Sequence, residues 1–275
     1  MTVLSCSEVD WARPWWQGWQ ARVQPVWHRW ETGAEPLSAV LNRQPAAPVR
    51  FVPQADLPPG WAYEQFIFKH RQVPTRENLH DLFNACCWQR FPRTKMRLNA
   101  LQGEVIAREG IQSTRGPLRD ALTLFDENAL LLLAPATAWQ ALCRHDWKHL
   151  LVDQRGAWGG AGPLRAVVFG HALLEKLCQP YKSITAHAYW VPTGEDISGS
   201  DAGLGSGLDT AGFADDDRLD AWLASRLTAE HLIAKPFSPL PVMGVPGWCD
   251  DNRQPDFYAD VQVFRPRAGL VKPAT

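Results

Sequence analysis

Apolar positions recur along this chain first at helical and then at strand spacing. Trp11, Trp15 and Trp19 stand four apart and Trp16 and Val23 widen the stripe, which predicts a helix from about Pro14 to Val23. Pro25 is expected to end it, because proline lacks an amide hydrogen and its ring collides with the preceding turn; Trp27 and Trp30 then fall on a second short turn before Gly33. Prolines at 36, 45, 48, 53, 58 and 59 make residues 34 to 60 an extended connection, with an edge strand at Val49 to Val52. Next, Thr75 caps a helix carrying Glu77 in its first turn and Leu79, Leu82, Phe83 and Cys86 on one face, and a second helix begins at Thr94 with Lys95, Leu98 and Leu101. Residues 75 to 101 therefore read as a helical hairpin.

Two apolar runs, Ala121 to Phe125 and Ala129 to Ala134, flank Asp126-Glu127-Asn128 and predict a β-hairpin, with Arg119 and Asp120 paired at its entrance. A helix from Ala136 to about Leu151 follows, then a strand from Arg165 to Phe169, a Gly170 break, a helix beginning at His171 and a strand from Ser183 to Val191. Residues 194 to 217, GEDISGSDAGLGSGLDTAGFADDD, have the composition of a mobile loop rich in Gly and Asp. Asp217 or a neighbour caps a helix running through Leu227, and Val261 to Phe264 is a candidate last strand. These elements describe an α+β fold: a helical hairpin and further helices on a small mixed sheet, with a Trp-rich N-terminal helical segment over 1 to 33. At 275 residues the chain is expected to form a single globular domain over 1 to 275.

Composition narrows the function classes. A net charge of −1 offers phosphate backbones and anionic lipid no general attraction, so there is no strong nucleic-acid signal. The longest apolar run is cut by Pro135 and no membrane span is present. Cysteines at 6, 86, 87, 143, 178 and 249 show no paired spacing and no secretory segment precedes them, which reads as reduced thiols in a cytoplasmic protein. Fourteen Trp against four Tyr imply either an aromatic core or a stacking surface.

The candidate chemistry is imidazole with carboxylate. His80, Asp81 and Asn84 share one helix, Asp126 and Glu127 sit in the expected turn, and together they are the candidate catalytic set. His171 and Glu175 lie one helical turn apart and His187 lies on the next strand; these three are the candidate ligands of a divalent metal such as zinc. The plainer reading gives each histidine a private hydrogen bond. His145 and His149, four apart, admit a shared metal or an exposed helical face. GAWGGAGP at 156 to 163 precedes its strand instead of following it and is a weak phosphate-binding signal.

The segment NLHDLFNACCWQRFPRTKMRLNAL resembles the signature of a proteobacterial family named domain of unknown function 3025, as do RDALTLFDENALLLLA and VFGHALLEKLCQPYKSITAH and, more weakly, DFYADVQVFRPR. The resemblance covers most of the chain and implies a bacterial cytoplasmic protein; it brings no activity, cofactor or site residue with it. On the residues alone the chain reads as a metal-assisted or acid–base hydrolase acting on an unknown small molecule. The alternative is a non-catalytic scaffold that docks a protein partner through its Trp-rich N-terminus. A third reading, a nuclease related to HNH folds, rests on ENLHDLFNACCW and needs a strand histidine ahead of the helix, where only His70 is available.

Overall fold

The computed structural model describes residues 4–44, 47–110, 116–160, 162–193 and 215–267. In chain order its helices are α1 (Gln20–Thr32), α2 (Leu37–Leu41), α3 (Tyr63–His70), α4 (Leu79–Arg90), α5 (Pro92–Glu109), α6 (Pro117–Asn128), α7 (Ala136–Cys143), α8 (His171–Leu177), α9 (Asp216–Arg226) and α10 (Ala229–Ile233). The strands are β1 (Arg50–Pro53), β2 (Gln72–Thr75), β3 (Ala129–Ala134), β4 (Arg165–Val168), β5 (Thr185–Pro192) and β6 (Phe237–Pro241). The fold is mixed α and β, as the apolar spacing predicts. The chain divides into two compact units: Met1–Asn128 with Phe169–Cys178 and Asp215–Lys235, and Ala129–Val168 with Gln179–Ala214 and Pro236–Thr275.

The first unit is built on the expected helical hairpin. Asn78, not Thr75, caps α4, its side chain accepting from the Asp81 amide at 2.8 Å, while Thr75 lies buried in β2. Pro92 starts α5 directly after Phe91, using the first helical position where a missing amide hydrogen costs nothing. Leu82, Phe83 and Cys86 are fully buried, and so are Cys87 and Trp88 on the next face round, because α1, α5 and α8 all pack on α4. Burial pushes the Cys86 thiol up to about 12 and the Cys87 thiol higher still, which leaves both as inert packing groups.

The N-terminal segment corrects the expected helix boundary. Pro14–Trp16 is a single 3₁₀ turn, and α1 begins at Gln20 and carries Pro25 in its interior. The apolar stripe, not the proline, sets this helix: Val23, Val26 and Trp27 point inward, with Trp27 edge-on to Phe83, and Trp16 stacks on Phe83 at 6.0 Å. Trp11, Trp15, Trp16, Trp19 and Trp27 are all buried within this unit, so the Trp-rich segment is core.

A second correction concerns residues 117 to 128, expected as half of a β-hairpin and found as α6. Leu118, Ala121, Leu122 and Phe125 recur at three and four, and this face is buried, so helical period wins over the short apolar run. Asp126 and Glu127 thus sit in the last turn of a helix, and Arg119 and Asp120 in its first.

In the second unit the sheet order is β4-β3-β5-β6. β3 runs antiparallel to β4 and parallel to β5, with Ala129 opposite His187, and β5 runs antiparallel to β6. Every residue of β3 is buried, the pattern of a central strand covered on both faces. α7 stops at Cys143, short of the expected Leu151, because His145 adopts a left-handed backbone with φ 57°. His145 therefore faces the Arg265 carbonyl while His149 bonds Gln154, and the two do not share a helical face. Residues 261 to 264 form turns where a strand was expected. The expected mobile loop from 194 to 217 lies mostly outside the described residues; only Asp215 to Asp217 are described, with Asp215 capping α9.

Candidate functional site

The first unit contains an open cleft of about 530 Å³. α3, α4, α5, α6 and α8 contribute to its walls, and His80, Asp81, Asn84, Asp126, Glu127 and His171 all line it. The two imidazoles meet: Nε2 of His80 and Nε2 of His171 are 3.0 Å apart, and the rings cross at 77°. The outer nitrogens are also engaged. His171 Nδ1 lies 2.8 Å from the backbone carbonyl of Asp126, and His80 Nδ1 lies 3.1 Å from Oε2 of Glu175.

These partners fix the protons. A carbonyl oxygen only accepts, so His171 carries its hydrogen on Nδ1 and presents a lone pair at Nε2. His80 must then donate through Nε2, and a carboxylate at its Nδ1 requires a second hydrogen there. The hydrogen-bond network thus assigns a protonated His80 between Glu175 and a neutral His171. The electrostatics agree. The hydrogen bond to Glu175 raises the affinity of His80 for its proton against the opposing effect of burial, and Asp81 and Glu127 add to the rise. Burial pushes His171 down to about 4, aided by Lys95 and His80 and opposed by Asp126.

A buried network holds the pair in place. Lys95 donates to Oδ1 of Asp126 at 2.5 Å and to Oδ1 of Asn84 at 2.8 Å, and Asn84 in turn donates to the Tyr63 hydroxyl at 3.1 Å. Burial works to raise the Asp126 carboxyl, but Lys95 and His171 outweigh it and hold it below the usual carboxylate range. Burial, reinforced by Glu64 and Asp81, drives Tyr63 well above its ordinary value. Asp81 is committed elsewhere: it accepts from the Arg76 backbone amide and from the Arg76 guanidinium, both at 2.7 Å.

Geometry sorts the expected residues. His80, Glu175 and His171 form one chain, Asp126 contributes its carbonyl and its ion pair with Lys95, and Asn84 supports Lys95. Glu127 lines the cleft. Of the expected metal ligands, Glu175 is taken by His80 Nδ1, and His187 belongs to β5 in the other unit, beside Phe237. Among the described residues no group of three or more His, Cys, Asp or Glu side chains is placed to hold a metal ion. His70, which a nuclease reading would need on a strand, ends α3 against Phe66 and Trp61.

Sequence reasoning missed Tyr63, Glu64, Arg76, Gln102 and Arg119, which also line the cleft, and Lys95 beside them. One signal was available: Lys95, Asn99 and Gln102 recur at four and three on α5, a polar stripe at the spacing normally used for burial, and all three are buried.

The fold and cleft define a mixed α and β protein whose cleft holds a hydrogen-bonded histidine pair, His171 buried and His80 half-buried. A family model described as "Protein of unknown function (DUF3025)" matches residues 49–268, and the chain belongs to that family. Every cleft residue named above falls inside the matched stretch. No curated protein and no solved structure matches the chain. Among the described residues no helix is long and apolar enough to cross a membrane.

Proposed function

We propose that the cleft is the active site of an acid–base hydrolase. The observation that carries this reading is the chain Glu175–His80–His171–Asp126 carbonyl, which keeps one extra proton between two Nε2 atoms at the wall of an open cleft. Hydrolysis needs a proton given to the leaving group and another taken from the attacking water. The pair can do both: His80 releases its Nε2 hydrogen to the leaving group, the water proton returns to the vacated nitrogens, and the count is restored. Glu175 and the Asp126 carbonyl hold the rings in register by fixing which nitrogen carries hydrogen. Acid–base chemistry is favoured over a metal-bound water because Glu175 serves His80 and not an open coordination position. Six free cysteines, among them the buried Cys86 and Cys87, fit a reducing cytoplasmic compartment.

The test is turnover of a panel of small activated esters, amides and phosphoesters by the intact chain. His80→Gln is expected to lower the rate by ~10²–10⁴, the usual worth of a positioned general acid or base. Replacing the exposed His28 by Gln serves as the control and should change nothing. Equal turnover in wild type and His80→Gln sinks the hydrolase reading.

A further inference from the structure

We propose that the same cleft binds a substrate monocarboxylate through Arg119 and Gln102, a reading that rests on the acid–base site above and names its substrate class. Among the described residues Arg119 makes no ion pair or hydrogen bond, and its Nε is buried without a partner. The other arginine lining the cleft, Arg76, is already spent on Asp81. Gln102 is 8% exposed, lines the same cleft from α5, and also has no hydrogen-bond partner among the described residues. A buried donor left unpaired is costly and uncommon, and Arg119 Nε is one; Gln102 faces the same cleft from α5, which packs on the α6 that carries Arg119.

Their chemistry selects the ligand. A guanidinium fork matches the two oxygens of a carboxylate, and the Gln102 amide can add a third hydrogen bond. Nearby charge limits the ligand to one negative charge. Glu64 lies close enough to feel Arg119, yet its Oε2 accepts from Asn99 at 2.8 Å, and burial and Asp126 raise its carboxyl above the usual range. Glu127 and Asp126 line the same wall. A dianion such as phosphate would meet these carboxylates with a single unspent arginine. The anchor is also set at a definite distance from the chemistry. Arg119 and Asp126 are seven residues apart on α6, about 10 Å along its axis, and His171 is bonded at the Asp126 end. The scissile bond therefore lies several bonds away from the bound carboxylate.

The intact protein is titrated with N-acetylglycinate, with its uncharged amide N-acetylglycinamide and with inorganic phosphate. The readout is the Arg119 Nε–H resonance, assigned by its absence in Arg119→Lys. A saturable shift with N-acetylglycinate and none with the amide is expected. Carboxylate affinity, read for every variant by isothermal titration calorimetry, should fall at least about tenfold in Arg119→Lys, which keeps the charge but loses the fork, and also in Gln102→Glu, which repels the ligand. Melting curves establish that both variants are folded. A shift that does not saturate, one that is equal for acid and amide, or tighter binding of phosphate overturns the proposal. His80-dependent turnover measured on the same samples separates the two readings. Turnover without a carboxylate response removes only the subsite, whereas a carboxylate response without His80-dependent turnover removes the hydrolase.

Discussion

At the scale of single residues, the two histidines make opposite demands on pH. Folded His171 titrates at about 4 against an ordinary 6.5, so the unfolded chain takes a proton that the native state refuses. Its support of the fold is complete above 6.5 and is lost as pH falls toward 4, by up to about 3 kcal/mol at 1.36 kcal/mol per pH unit. His80 is raised above 6.5, so its support is complete below 6.5 and is lost as pH rises past its folded value. Stability from denaturant titrations is accordingly expected to peak near 6.5, and the slope between 6.5 and 4 should shrink in His171→Asn. An unchanged acid slope in that variant would show that another group titrates there. His80, His171 and Glu175 were legible as candidates because polar residues stood beside apolar faces at helical spacing. Their pairing was not legible, since it depends on which ring nitrogen faces which oxygen. The contact of Asp126 with His171 was hidden as well, because the atom that meets the ring is a backbone carbonyl that every residue type carries.

At the scale of elements, the hairpin was legible because apolar period, a capping residue and Pro92 all agree on it. Leu82 is fully buried in α4, and Leu82→Ala is expected to cost about 2–5 kcal/mol through the cavity it leaves. A loss under about 0.5 kcal/mol, the range of a surface site, would contradict that packing. α6 was misread because four apolar residues in a five-residue run outweighed the wider spacing of Leu118, Ala121, Leu122 and Phe125, and α1 because Pro25 was given more force than the stripe around it. A contact invisible to any pattern joins α6 to α8. Gly170 has an ordinary negative φ of −62°, but a Cβ there would run into the Glu127 carbonyl. The missing side chain lets the start of α8 approach the last turn of α6 closely enough for His171 to reach the Asp126 carbonyl. Gly170→Ala should therefore lower stability by about 1–3 kcal/mol, the scale of an overpacked site, and loosen His171. The check is the His171 imidazole resonance, which should begin to titrate above 4; a value that stays there would mean that the close approach does not position the ring.

At the scale of the whole molecule, sheet order and the assembly of each unit from separated stretches were beyond the sequence, because β-pairing between distant strands depends on contacts that no local pattern encodes. The first unit takes α8 and α9 from beyond residue 128; α8 packs on α4 and α6, and its Leu173, Leu174 and Leu177 are buried. A fragment of residues 1–128 is thus expected to lack a cooperative thermal transition, and a sharp melt in that fragment would show that α8 is dispensable. The separation also has a consequence in time. The imidazole nitrogens that meet at 3.0 Å belong to residues 91 positions apart, and closing such a span costs on the order of 4 kcal/mol in chain entropy. During synthesis at ~5–20 residues per second, His80 leaves the ribosome on the order of ten seconds before its partner. For that interval it is a solvated imidazole with no neighbour to share its proton. The protein is born without its histidine pair, which can close only after most of the chain has been made.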